Sequence, residues 1–331
     1  MAADYGLEEL RRETTFGGAG TTVAREVPRV DLADFEARKG EIADALWDAS
    51  TRVGFFQLVH HGIPQAAVDE AFAFAERFFA LPRESKARLA MARGTNAGWE
   101  YKEQVRPSTG TADNKESYQV TVPRMAGLWP PGDDLPGFKA AMLAFERANW
   151  ALAVKVLSCF ALKLGFPPDF FTDAHDPTSP GYQSTLRLIH YLPMHDARPE
   201  DFAGWRAGAH TDFDCLTLLH QRPGQGGLQL CPGAEAASGG GDLAWTDVEP
   251  LPGVVTCNIG DMLTRWSDDR LLSTLHRVRM PRADEYLGPR YSLPFFCQAN
   301  KDAVIRGPLG KHAPITAHDY LQQRIAANFA G

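Results

Sequence analysis

The chain lacks any uninterrupted apolar run of about 18 residues, the length that a membrane-crossing helix needs, so no membrane partner is expected. Cysteine is scarce: Cys159, Cys215, Cys231, Cys257 and Cys297 are odd in number, widely spaced and nowhere form C-x-x-C. That excludes a disulfide framework and a thiolate zinc knuckle, and leaves reduced, buried, small apolar residues. There is no basic surplus. Lys and Arg total 34 against 41 Asp and Glu, mixed along the chain to a net charge of −7, so nothing neutralises a phosphate backbone and no nucleic-acid partner is expected. No H-E-x-x-H is present, and no P-loop lysine follows Gly226-Gly227, which removes the commonest zinc-hydrolase and phosphate-loop readings. The segment Met1 to Arg12 carries Asp4, Glu8, Glu9, Arg11 and Arg12 in place of the apolar stretch of a signal peptide, so a cytoplasmic location is the expectation. Nothing points to an obligate protein partner.

What is present is ordinary globular composition, 44% hydrophobic and 23% charged over 331 residues, enough for a large core. Two regions differ in period. Residues 1–165 are helix-rich: Ile42, Leu46, Ala49 and Val53 keep helical spacing, as do Val68, Phe72, Ala75 and Phe79 after Pro64. A long helix is expected through Phe138, Met142, Phe145, Asn149, Leu152, Val156 and Phe160, with Asn149 its one polar blemish. Short strands are expected at Val27–Leu32 and Gly54–Val59. Residues 166–331 turn to β-type runs between Gly, Pro and Asp: Thr185–Tyr191, Leu216–His220, Gly227–Cys231, Val254–Ile259, His276–Met280 and Tyr291–Gln298. The Gly239-Gly240-Gly241 stretch reads as a flexible hairpin tip, and Ile315 to Ala330 as a closing helix. The predicted fold is a mainly β core, a double-stranded β-helix or jelly roll, clasped by an α-rich N-terminal region in one compact unit.

The sharpest chemical feature is His210-Thr211-Asp212 followed later by His276. Residues two apart on a strand share a face, so His210 and Asp212 can converge on one ion, with His276 arriving from another strand. Two imidazoles and one carboxylate leave three positions open, which suits iron(II), although zinc accepts the same ligands. Taken alone, H-x-D is a common accident.

Its surroundings are not. Gly54-Phe55-Phe56-Gln57-Leu58-Val59-His60-His61-Gly62-Ile63, then Leu216-Thr217-Leu218-Leu219, Gly226-Gly227-Leu228-Gln229-Leu230, Asn258-Ile259-Gly260-Asp261, His276-Arg277-Val278 and Arg290-Tyr291-Ser292 follow in order. Together they resemble the isopenicillin N synthase-like family of iron(II)/2-oxoglutarate-dependent oxygenases, from about Val27 to Phe329. The resemblance implies that His210, Asp212 and His276 hold iron, and that Arg290 and Ser292, with Tyr191, hold the co-substrate 2-oxoglutarate. A guanidinium fits that last role, presenting a planar fork to a carboxylate. Asn258–Asp261 reads as a strand-ending turn in which Gly260 supplies an unusual backbone angle.

Where the family carries Asn-Tyr-Tyr-Pro, this chain has His190-Tyr191-Leu192-Pro193, so His190 and Leu192 are expected at the pocket, with Phe213, Tyr101, Tyr118, Phe295 and Phe296. Lys102 and Arg106 read as solvated loop charges before substrate contacts. The implied activity is that of a 2-oxoglutarate-dependent dioxygenase consuming O₂. It would hydroxylate, desaturate or cyclise a small organic molecule through an iron(IV)-oxo species and release succinate and CO₂. The alternatives are an iron oxidase of the same family that does not use 2-oxoglutarate, and a non-catalytic jelly-roll binding protein.

Overall fold

The computed structural model describes residues 20–329 apart from 93, 105–111, 195–204, 234, 236–242 and 283. The segment Met1 to Arg12, Arg106 and the Gly239–Gly241 tip lie outside the described residues. In chain order the elements are β1 (Thr21–Thr22), β2 (Arg29–Asp31), α1 (Phe35–Arg52), β3 (Phe55–Val59), α2 (Gln65–Phe79), α3 (Arg83–Ala87), β4 (Gly98–Tyr101), β5 (Lys115–Val120), α4 (Phe138–Leu164) and α5 (Phe170–Ala174). They continue with β6 (Thr185–Tyr191), β7 (Trp205–His210), β8 (Leu216–Gln221), β9 (Leu228–Cys231), β10 (Ala244–Asp247), β11 (Val255–Ile259), α6 (Asp261–Trp266), β12 (Leu275–Arg279), β13 (Arg290–Cys297), β14 (Val304–Ile305), β15 (Ile315–Thr316) and α7 (Ala317–Phe329).

Two facing sheets form the jelly roll. The larger runs β2-β3-β11-β8-β13-β6-β5-β4 and the smaller β1-β10-β9-β12-β7. The larger sheet takes strands from both regions of the sequence. Four come from before residue 165, so the helix-rich half is built into the core sheet as well as packed on it. β4 and β5 lie in stretches where the sequence pointed to pocket walls rather than strands. Every residue of β5 is buried, its polar ones included.

Helices α1, α2 and α4 cover the outer face of the larger sheet. Ile42, Leu46, Phe72, Phe78, Leu152 and Val156 join Leu186, Leu188, Leu218, Leu293 and Phe295 in one apolar core. The inner face meets the smaller sheet through Ile189, Tyr191, Ala207, Leu228 and Val278. The polar blemish of α4 is answered on the outer face: Asn149 Oδ1 accepts a bond from His220 Nε2 at 2.7 Å, both residues being buried. Burial holds that imidazole neutral, its pKa pushed down to about 3. At the outer edge of the smaller sheet, β1 pairs in parallel with β10, Thr21 opposite Ala244 and Thr22 opposite Trp245.

Candidate metal and co-substrate site

β7 ends on His210, and β12 runs antiparallel beside it with His276 directly opposite. Their rings sit 4.3 Å apart between centroids. Asp212, just past the strand, brings Oδ1 to 4.0 Å from His210 Nε2 and 3.6 Å from His276 Nε2. Among the described residues this is the one group of three or more His, Cys, Asp or Glu whose ligand atoms converge, all within 4.8 Å of one another.

The hydrogen bonds around the triad leave the right atoms available. His210 Nδ1 donates to Gly208 O at 2.7 Å and His276 Nδ1 to Thr274 O at 3.1 Å, which fixes both tautomers and leaves each Nε2 lone pair facing the gap. Asp212 Oδ2 accepts from Thr217 Oγ1 at 2.6 Å and Asn258 Nδ2 at 2.8 Å, so Oδ1 is the remaining ligand atom. Thr217 Oγ1 also lies 3.0 Å from Asp214 Oδ2. Burial, reinforced by the charge on Asp212, pushes the Asp214 carboxyl well above its usual range. The Thr217 hydroxyl is thus placed between the two carboxylates, within donating distance of both. The donor set fits a divalent ion of the iron(II) class.

Asn258 belongs to the turn that the sequence reading treated as a structural stop. The reason given for its glycine is corrected: Gly260 has φ −99°, ordinary extended backbone. What excludes a side chain there is space, since a Cβ would come within 2.3 Å of Asp214 Oδ1. The turn presses on the iron-side loop, and Asp261 N donates to Asp212 O at 2.8 Å.

Beside the triad a cavity runs between the sheets to Arg290, lined also by Tyr191, Ser292, Lys115, Asn258 and Thr217. Arg290 is 1% exposed. Its Nε donates to Gln225 O and Gly226 O, each at 3.0 Å, and its guanidinium stacks 4.7 Å from the Tyr191 ring centroid. Nη1 is buried without a hydrogen-bond partner. A buried, oriented cationic donor with an unmet bond is costly unless an anion arrives, so the residues fit the distal carboxylate of a 2-oxo acid. Burial lowers the Arg290 pKa, yet a guanidinium stays charged at neutral pH.

A second cavity opens on the other side of the triad, lined by His210, Asp212, Phe213, Asn96, Arg187, Phe296, Gln298, Leu321 and Ile325, with Met91, Gly94, Gln104 and Thr211. Phe213 and Phe296 are among these lining residues. Five residues expected at the pocket line neither cavity: His190, Leu192, Tyr101, Tyr118 and Phe295. His190 points to the helical layer, stacked on Tyr291 at 4.8 Å and bonded to Glu116 Oε1 at 2.9 Å. Tyr118 shares that layer, donating to Leu128 O at 2.7 Å. Phe295 lies in the apolar core, Tyr101 packs under Arg83, and Leu192 lies beyond the end of β6. Arg187 and Asn96 were not foreseen, because no motif contains them. Of the expected pair Phe295 and Phe296, only Phe296 faces the cavity, because a period of two places it with Arg290 and Ser292 and puts Phe295 opposite.

Comparison with known proteins agrees with this geometry. Residues 182–299 match the 2OG-Fe(II) oxygenase superfamily, and residues 27–132 match the non-haem dioxygenase in morphine synthesis N-terminal family. The chain is 32% identical to the 2-oxoglutarate-Fe(II) type oxidoreductase hxnY of Emericella nidulans, over 89% of this chain and 88% of that one. It is 31% identical to proline hydroxylase buaE of Petromyces alliaceus, over 85% of this chain and 90% of that one. The crystal structure of a full-length Neurospora crassa protein in complex with alpha-KG and thymine superposes with a TM-score of 0.78 at 30% identity, covering 92% of this chain and 97% of that one. Iron(II), 2-oxoglutarate and O₂ are therefore what this site works with, and the chain belongs to the 2-oxoglutarate- and iron(II)-dependent oxygenases.

Proposed function

We propose that this enzyme hydroxylates a small, flat, carbonyl-bearing molecule held in the second cavity. The observation that carries the reaction class is the pairing of the triad with Arg290, whose buried Nη1 faces no partner at the far end of the adjoining cavity. When bound, iron(II) with 2-oxoglutarate and O₂ supplies the oxidant that converts a substrate C–H bond to C–OH, with succinate and CO₂ as the other products.

The chain's own residues do the positioning. Arg290, with Ser292 beside it on the same strand face, orients the co-substrate and keeps its far carboxylate out of water. Thr217 and Asn258 hold Asp212 to one rotamer. On the substrate side, Arg187 lines both cavities at their junction. Asn96 Oδ1 accepts from its Nη2 at 3.3 Å, and the ring of Phe296 lies 5.1 Å from the guanidinium carbon. A flat cation so braced beside the triad suits a substrate carbonyl oxygen, and the rings of Phe213 and Phe296 suit a planar body. The complexes of the Neurospora crassa protein with thymine and with 5-formyluracil support a ligand of that shape. Regiochemistry follows from which carbon these contacts leave nearest the metal.

The test is anaerobic titration of iron(II)-loaded protein with 2-oxoglutarate, watching for the metal-to-ligand charge-transfer band, followed by succinate release on pyrimidine bases and on free amino acids. A band with base-stimulated succinate is expected. Absence of the band sinks the reaction class. Stimulation by amino acids alone sinks the flat carbonyl substrate.

A further inference from the structure

The C-terminal helix α7 touches the substrate cavity and the iron loop at once. Leu321 and Ile325, one turn apart, line the cavity. Between them in sequence stands Arg324, with no exposed surface. Its Nη2 donates to Asp261 Oδ2 at 2.6 Å and lies 3.4 Å from Thr211 Oγ1, while its guanidinium packs 4.5 Å from the ring centroid of Phe213. Thr211 is the residue between two of the metal ligands, and its hydroxyl donates to the same Asp261 oxygen at 2.9 Å. Asp261 in turn binds the backbone of Asp212. One side chain thus joins the helix that forms a cavity wall, an aromatic ring that also lines the cavity, and the loop that carries Asp212.

A buried ion pair contributes little net stability against apolar residues of the same size, because both charges must be stripped of water. Its value here lies in geometry. We propose that Arg324 is the positioning residue through which filling of the substrate cavity is felt at the iron. A molecule pressing on Leu321 and Ile325 shifts α7. The rigid guanidinium passes that shift to Asp261 and Thr211, and the ligand set beside Thr211 rotates with it. The proposal rests on the iron and 2-oxoglutarate reading. A coupling of this kind is an interaction energy between two sites, so it is measured by whether one perturbation changes the effect of another.

The experiment needs no identified substrate. Leu321→Phe adds bulk to the cavity wall and stands in for occupancy. Arg324→Met keeps the stem and deletes the fork, while Thr211→Val removes only the hydroxyl. Each protein, and each double variant with Leu321→Phe, is loaded anaerobically with iron(II) and 2-oxoglutarate and treated with nitric oxide. The EPR signal of the iron nitrosyl reports ligand geometry directly. Leu321→Phe is expected to shift that signal in the wild-type background, and the shift to be lost with Arg324→Met and reduced with Thr211→Val. Melting curves on the same samples establish that each variant is folded, and Thr211→Val carries the test if Arg324→Met is not. A wild-type protein without the charge-transfer band overturns the iron and 2-oxoglutarate reading and this proposal with it. A wild-type band together with an equal Leu321→Phe shift in all backgrounds, or no shift in any, overturns this proposal alone.

Discussion

The two faces of the larger sheet are made by the same strands and share almost nothing in chemistry. On β6 and β13 the inner face carries Arg187, Ile189, Tyr191, Arg290, Ser292 and Phe296 around the cavities. One residue along each strand, the outer face carries Leu186, Leu188, Leu293 and Phe295 in the apolar core, with His190 stacked on Tyr291. The outer face also holds charge, but charge that is already matched. Glu116 Oε2 accepts from Lys86 and from Trp99, each at 2.8 Å, while its Oε1 meets His190. Inner polar groups such as Arg290 keep a bond in hand. Unmet buried bonds occur on the outer face too, as at His190 Nε2, so what distinguishes Arg290 is that its unmet donor lines a cavity beside the triad.

The largest expected effect breaks the inner face. Arg290→Ala should weaken 2-oxoglutarate binding by about two to three orders of magnitude, since deleting one partner of a buried charge pair costs about 3–5 kcal/mol. Iron content should survive. Arg290→Lys should be intermediate, and Ser292→Ala milder, at about 1.5–3 kcal/mol for one bond to a charged group. Charge-transfer titration of the series gives the order, and equal affinities would remove Arg290 from the site.

Neighbouring phenylalanines sharpen the comparison. Phe295→Ala should cost about 3–5 kcal/mol of stability through the hole it leaves in the core. Phe296→Ala should cost less and instead raise the substrate KM. Denaturant melts set beside kinetics will separate the two, and equal melts would mean that the faces are not distinct.

On the outer face, burial pushes the Glu116 carboxyl up, but bonds from His190, Lys86 and Trp99 outweigh it and hold the pKa below the usual carboxylate range. A lowered folded pKa gives stability that is present above the unfolded value, about 4.3, and lost as pH falls through the folded one. Glu116→Gln should therefore be less stable at neutral pH, with the gap to wild type closing in acid. Melting both proteins across that range checks the sign. A gap that stays constant would show that the carboxylate is not held this way.

The smallest effect is an expected absence. Leu192→Tyr restores a hydroxyl common in the family, yet position 192 lies outside both cavities, so 2-oxoglutarate affinity should not change.

These pairs also show what was legible in the chain. His210, Asp212, His276, Arg290 and Ser292 stood out because fixed spacing on strands makes motifs. The six strands expected after residue 180 appear within a residue of their forecast ends. Which face a strand turns inward was harder, because an error of one residue inverts every assignment. Phe295 and Phe296 were both expected at the pocket although neighbours on a strand face opposite ways, while His190 was drawn there by its place in the family's Asn-Tyr-Tyr-Pro run. Contacts across the chain left no local trace at all: Asn96 with Arg187, Asn149 with His220, and Arg324 with Asp261 are made only when distant segments fold together.

The short strand β1 has a consequence outside the chemistry. Thr21 N donates to Leu243 O at 2.9 Å and Val23 N to Trp245 O at 2.8 Å, so a few residues near the start of the chain occupy the open side of β10. Bare strand edges recruit other strands. A protein trimmed to residue 24 should keep its charge-transfer band and its turnover, yet scatter light and precipitate as molecules add to one another along β10.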